Sequence, residues 1–276
     1  MAKYKKGKGK QQGPSMAQKA DRHVLYEASV QAVDHEVEFL SDTYFALRGR
    51  RPRTLREDFC GTTNAACEWV REHKDNWAIG VDLDPEVLEW GRTHHIASLD
   101  PDQRKRLQVI QANVLEVETP PVDLVVAFNF SYWIFKTREV LGSYFRQAHK
   151  ALKEDGIFCL DIYGGPEAHE EREEETEYDD FTYVWDQSRV DPVTGRSLCY
   201  IHFKFPDKSE MKEAFAYDWR LWSIPEVREL LSEAGFSKTT VYWQGTDEDG
   251  DADDVFEPVE EGDADPAWIA YIVAER

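Results

Sequence analysis

Cysteine is scarce and scattered in this 276-residue chain. Cys60, Cys67, Cys159 and Cys199 show no C-x-x-C spacing, which argues against a disulfide framework or a paired-cysteine zinc site and leads us to expect a reduced, cytoplasmic setting. No run of eighteen apolar residues occurs, so no membrane span is expected. H-E-x-x-H is missing, and the adjacent His94 and His95 cannot point to one site from a helix, so no metal is expected. Positive charge is short as well: 33 Lys and Arg stand against 54 Asp and Glu, a net charge of -21. Such a body opposes a phosphate backbone, and a nucleic acid is not expected as a partner. Residues 167–180 carry nine acids and one arginine, and residues 247–265 carry eleven acids and no base. Like charges this dense favour solvated loops.

What is present suits a globular enzyme. With 41% hydrophobic residues, the chain can bury one substantial α/β core with an insertion. Residues 1–14 hold five lysines with no apolar segment behind them, so they are not a secretory signal. Residues 1–19 read as a flexible basic tail. Residues 20–47 have an amphipathic helical pattern, with Leu25, Ala28, Ala32, Phe39, Leu40 and Tyr44 on one side. Strands near 54–59, 77–82, 107–111, 122–128 and 157–163 alternate with helices near 63–73, 85–98 and 137–151, which specifies a parallel sheet wound on both sides. Ser223 as N-cap and Pro225 open a further helix, and strands near 239–243 and 268–273 close the fold around an acidic loop.

Residues 164–222 are too long for an ordinary loop. Alternating runs at 181–185, 198–205 and 211–222, separated by turn signals, predict a three-stranded antiparallel sheet. Placed there, it covers the carboxyl edge where open α/β sheets bind ligands, as a substrate lid. The organisation is therefore an α/β domain over 20–163, a lid over 164–222, and completion of the α/β domain over 223–276.

The densest chemical signal is R-E-D-F-C-G-T-T-N at 56–64, followed by A-I-G-V-D-L-D at 78–84. It reads as strand, tight turn, helix and a second strand ending in an acid. The turn lets backbone approach a nucleoside closely, and the acid can bind both ribose hydroxyls. A dinucleotide turn would need the glycines of G-x-G-x-x-G at the pyrophosphate, and here only Gly61 is present. A nucleoside without phosphates fits better.

At this point the chain resembles the class I S-adenosylmethionine-dependent methyltransferases. Glu57 matches the acid of their first motif, and Phe59, Gly61 and Thr63 fall on its three glycine positions. Residues 79–88 (IGVDLDPEVL), 109–117 (VIQANVLEV), 122–133 (VDLVVAFNFSYW) and 151–163 (ALKEDGIFCLDIY) resemble the segments that follow, in the family's order. The resemblance covers roughly residues 54–163 and 223–276. It implies a doubly wound, mostly parallel seven-stranded sheet with the antiparallel lid inserted after strand 5, S-adenosylmethionine as cofactor, and a small-molecule acceptor.

The same resemblance distributes the site. Asp82 would hold the ribose, Leu83 would lie beside the adenine, and Asn113 with Val114 would read the adenine edge. Glu57, Phe59 and Gly61 would form the cofactor turn, with Asn129 and Phe130 where the loop opens onto the methyl group. Tyr26 would approach the sulfonium from an N-terminal cap, or simply pack its helix. Arg56 would reach the cofactor carboxylate, or pair with Glu57 or Asp58. The acceptor would meet Tyr132, Trp133, Tyr163, Arg220 and Trp222, although a salt bridge is the commoner fate of such an arginine. Phe-Asn-Phe-Ser departs from the Asn-Pro-Pro-Tyr pattern of nucleobase and glutamine methyltransferases and argues against those substrates.

No catalytic side chain is assigned, because an activated methyl donor asks chiefly for alignment and exclusion of water. His202, alternating with apolar lid residues, is the one candidate base among the histidines considered. An RNA or protein acceptor, or a non-catalytic scaffold that binds the cofactor, are the alternatives; oligomeric state is left open.

Overall fold

The structure is a computed structural model that describes residues 13–246 and 252–276. Three helices come first: α1 (Met16–Lys19), α2 (Arg22–Val30) and α3 (Val33–Arg48). An alternating unit follows: β1 (Thr54–Asp58), α4 (Asn64–Glu72), β2 (Trp77–Asp82), α5 (Pro85–His94), α6 (Pro101–Lys105), β3 (Leu107–Gln111), β4 (Val122–Ala127), α7 (Arg138–Ala151) and β5 (Leu152–Gly164). Strands β6 (Arg172–Glu177), β7 (Thr182–Asp191), β8 (Arg196–Lys204) and β9 (Glu210–Arg220) lead to α8 (Ile224–Glu233). The chain closes with β10 (Lys238–Thr246), β11 (Ala252–Val259) and β12 (Trp268–Glu275).

The large sheet runs β11-β10-β12-β5-β4-β1-β2-β3. Strands β5, β4, β1, β2 and β3 are parallel, and β12, β10 and β11 form the antiparallel end. This is the mostly parallel α/β sheet that the resemblance implied, with an antiparallel end. The order switches direction between β1 and β4, where parallel sheets open a crevice at their carboxyl ends. Every residue of β4 is buried, as a central strand covered on both faces requires. On one face α3 and α4 bury Val37, Leu40, Tyr44, Trp69 and Val70. The other packs Tyr144 and Phe145 of α7 and Leu230 and Leu231 of α8.

The seven expected strands are joined by an eighth, β11, in the acidic segment read as a loop. Strand β6 likewise forms within acidic residues 167–180, giving the lid four strands rather than three. Both are edge strands, where one flank pairs and the other faces water, so charged side chains keep their hydration and blunt the edge. Part of the acidic segment, residues 247–251, lies outside the described residues.

The helical pattern of residues 20–47 is broken at Gln31, whose backbone is extended and whose side-chain oxygen accepts from Asn64 Nδ2 at 3.0 Å. Of the segment expected as a flexible tail, residues 1–12 lie outside the described residues, while Met16–Lys19 is helical and docked on the lid. Its free amides find partners there: Met16 N donates to Asp207 at 2.8 Å and Ala17 N to Ser209 at 3.0 Å. Among the described residues, no helix is long and apolar enough to cross a membrane.

Candidate active site

The first motif keeps its backbone shape without its glycines. Phe59, Gly61 and Thr63 have φ values of 58°, 50° and 63°, the left-handed region, so two ordinary side chains occupy positions that favour glycine. Strain of this kind persists only where its surroundings enforce it. Here Cys60 N donates to Val81 O at 3.0 Å, Thr63 N to Cys60 O at 2.7 Å, and Gly61 N to Asp82 Oδ2 at 2.8 Å. The other Asp82 oxygen accepts from Asp84 N at 2.9 Å, so the carboxylate ties the turn to the end of β2. Glu57 accepts from Ala66 N at 2.9 Å and satisfies a free amide in the first turn of α4. Helix α2 closes over the turn: Glu27 accepts from Thr62 Oγ1 at 2.6 Å and meets His95 Nε2 at 2.7 Å.

Gly91 of α5 packs against this turn, and a Cβ there would stand 2.2 Å from Thr62 O. Gly91→Ala is therefore expected to cost about 3 kcal/mol through overpacking and to displace the turn. Thermal unfolding checks this against Gly142→Ala, where the nearest atom lies at 3.4 Å on a flexible side chain and no loss is expected.

Carboxyl groups gather beneath the cleft. Asp161 of β5 is buried and accepts from Asn129 N at 2.7 Å and Phe130 N at 2.9 Å, which fixes both residues at positive φ. Burial nevertheless pushes its carboxyl up to about 7. Glu36 of α3 is 9% exposed, and among the described residues no hydrogen bond or ion pair reaches its carboxyl. Burial, then the nearby Asp161 charge, raises it to about 8. Burial also raises Glu57 to about 8, against the Ala66 amide and with help from Glu36 and Asp82. Buried acids without a base between them suit a cationic ligand, and S-adenosylmethionine carries an ammonium and a sulfonium.

These folded values lie above the unfolded carboxyl values of 4.5 and 3.8, so the folded state binds extra protons in between. Their stabilisation is full at low pH and falls as pH rises toward about 8. A bound cation reverses the preference. S-adenosylmethionine affinity is expected to rise at least tenfold, roughly, between pH 6 and 8, with proton release visible by calorimetry in buffers of different ionisation heat.

A cavity of about 350 Å³ opens between this cleft and the lid, and Tyr26, Asn129, Phe130 and Tyr163 line it. The Tyr163 hydroxyl is buried there, with no hydrogen-bond partner among the described residues. Tyr26 packs on Phe215 at 4.8 Å, so it holds its helix, and it also lines the cavity. Leu83 is 66% exposed at the outer end of the cleft, Val114 is buried, and the Asn113 oxygen is engaged by Leu115 N at 3.0 Å.

Four expected contacts with the acceptor lie outside the cavity lining. Tyr132 and Trp133 are 0% exposed and belong to the core below it, with Trp133 packed on Tyr163 at 4.7 Å. Arg220 turns back to Glu226 at 3.2 Å and covers the ring of Trp222 at 3.7 Å, while Trp222 Nε1 donates to Phe135 O at 3.1 Å. The pair anchors the lid instead of lining it. Arg56 is also drawn away from the cofactor side: it is 1% exposed and binds Asp58 at 2.7 Å beneath β1. His202 lies across the lid sheet from Ile201 and Phe203, beside Asp186 at 3.3 Å, because successive strand residues face opposite sides.

Glu36 and Asp161 were not read from the sequence as site residues. Their signals were an acid on the Ala32–Leu40 stripe of a helix and an acid inside the apolar run of β5.

Residues 58–160 match the family model of the methyltransferase domain. No curated protein sequence matches the chain. An S-adenosylmethionine-dependent methyltransferase from Clostridium acetobutylicum superposes with a TM-score of 0.68 at 15% identity, covering 92% of this chain and 96% of that one. CalS10, an amino pentose methyltransferase from Micromonospora echinaspora, gives 0.64 at 12% identity over 92% and 95%. KedS8, a sugar N-methyltransferase from a Streptoalloteichus species, gives 0.62 at 17% identity over 100% and 99%.

Proposed function

We propose that this chain, which carries a methyltransferase domain at residues 58–160 and the class I methyltransferase fold, moves a methyl group from S-adenosylmethionine to a small molecule. The observation that carries the reading is the gathering of the Glu36, Asp161 and Glu57 carboxyls under a left-handed turn tied to Asp82. Bound S-adenosylmethionine supplies an activated methyl cation equivalent. Asp82 holds the ribose, the turn from Phe59 to Thr63 admits the methionine end, and Glu36, Glu57 and Asp161 balance its positive charge. Asn129 and Phe130, fixed by Asp161, border the methyl group and the acceptor cavity. The lid shields the reaction from water, which is most of what methyl transfer requires.

A cavity of about 350 Å³ suits a small-molecule acceptor. The surplus of acids opposes nucleic acid further. The four buried free cysteines are consistent with a cytoplasmic location. Calorimetric titration with S-adenosylmethionine and S-adenosylhomocysteine tests the reading. Micromolar binding is the expected result, and absence of binding at millimolar cofactor would overturn it.

A further inference from the structure

The acceptor cavity has an unusual lining. Trp185, Tyr217 and Trp219 of the lid face it, joined by Tyr183, Tyr163 and Trp268. The centroid of Trp185 lies 6.0 Å from those of both Tyr217 and Trp219, which stack on each other at 4.4 Å. No lysine, arginine or histidine is among the described lining residues, and the one charged group is Glu174. Glu174 pairs across the ladder with Trp185 and is held by Arg172 at 2.5 Å. Aromatic faces carry negative potential, and rings gathered around a void attract an organic cation while offering nothing to a carboxylate or phosphate. The net charge of -21 draws the same charge toward the protein as a whole.

From this lining we propose that the methyl acceptor is an amine, held as its ammonium in the cavity against the aromatic wall of Trp185, Tyr217 and Trp219 and methylated on nitrogen. This rests on the methyltransferase reading. The ammonium first gives its proton to water at the mouth, where Glu174 stands, leaving a lone pair. Nitrogen then bonds to the methyl carbon while the carbon–sulfur bond breaks and its electron pair stays on sulfur. The sulfonium becomes a neutral thioether, and its positive charge reappears on nitrogen within the aromatic walls. The cavity thus favours both the bound cation and the charge formed during transfer.

The test uses choline and its neutral isostere 3,3-dimethylbutan-1-ol, titrated calorimetrically into protein saturated with S-adenosylhomocysteine. Choline is expected to bind at least about tenfold tighter. Trp185→Leu should abolish the preference and Trp185→Phe should retain much of it, with cofactor affinity unchanged in both as the control for folding. Equal binding of the two probes, tighter binding of the alcohol, or no binding of choline to cofactor-loaded protein would overturn the proposal. Failure to bind the cofactor at all would sink the methyltransferase reading instead, so the two failures are distinguishable.

Discussion

Replacing Asp82 with alanine is expected to weaken S-adenosylmethionine binding roughly a hundredfold. The carboxylate stands at the end of β2, with one oxygen accepting from Gly61 N at 2.8 Å and the other from Asp84 N at 2.9 Å. A hydrogen bond to a charged group is worth about 1.5–3 kcal/mol, and two ribose hydroxyls would be lost together. At about 1.4 kcal/mol per decade, even the lower figure gives a loss of two orders of magnitude. The substitution also frees the Gly61 amide, so part of the loss comes from the turn. Asp82→Asn separates the contributions, because the amide oxygen can still accept one bond while the charge is removed. An alanine variant that binds the cofactor as well as the parent would remove Asp82 from the site.

Arg56→Ala should have the larger effect on stability, at about 3–5 kcal/mol. Arg56 and Asp58 alternate along β1 and so point to the same face, into the layer beneath the sheet. The guanidinium binds Asp58 at 2.7 Å and Thr119 at 3.3 Å, while Tyr144 donates to the other Asp58 oxygen at 3.0 Å. Removing the arginine leaves a buried carboxylate with only a phenol for company. Burial already raises the Asp58 carboxyl, although Arg56 draws it down.

A fall in melting temperature of roughly 10 °C follows for a chain of this length. Arg56→Met combined with Asp58→Leu should recover most of it, since a matched apolar pair carries no desolvation cost. Cofactor affinity decides between this role and contact with the cofactor. An unchanged melting temperature with weakened binding would contradict the buried pairing.

The two residues differ in how they could be read from sequence. Asp82 is legible because everything that defines it is local: a short continuous apolar strand, an acid at its end, and Asp84-Pro85 opening the next helix. Arg56 is not legible in the same way. Its side chain could equally have reached Glu57, Asp58 or a ligand, and only the packing of α7, which brings Tyr144 to Asp58, selects among them. Arg220 and Trp222 show the same indeterminacy at the base of the lid, where Glu226 and Phe135 claim them. The acidic segments mislead for a different reason. Charge density argues for solvated loops, but a strand at a sheet edge is itself half solvated, so β6 and β11 satisfy both demands.

By itself the sequence determined the alternating α/β core, the order of its segments, the turn around Gly61 with Asp82 beyond it, and the existence of a β lid. These rest on periodicity, turn chemistry and short spacings, which act between near neighbours. Only the tertiary structure decided that Phe59 and Thr63 hold glycine-like backbone, that Glu36 and Asp161 join Glu57 beneath the cleft, and that lid aromatics line a cavity with no lysine, arginine or histidine among its described lining residues. Each depends on side chains brought together from distant elements, and burial, which shifts the acids, exists only once those elements have packed.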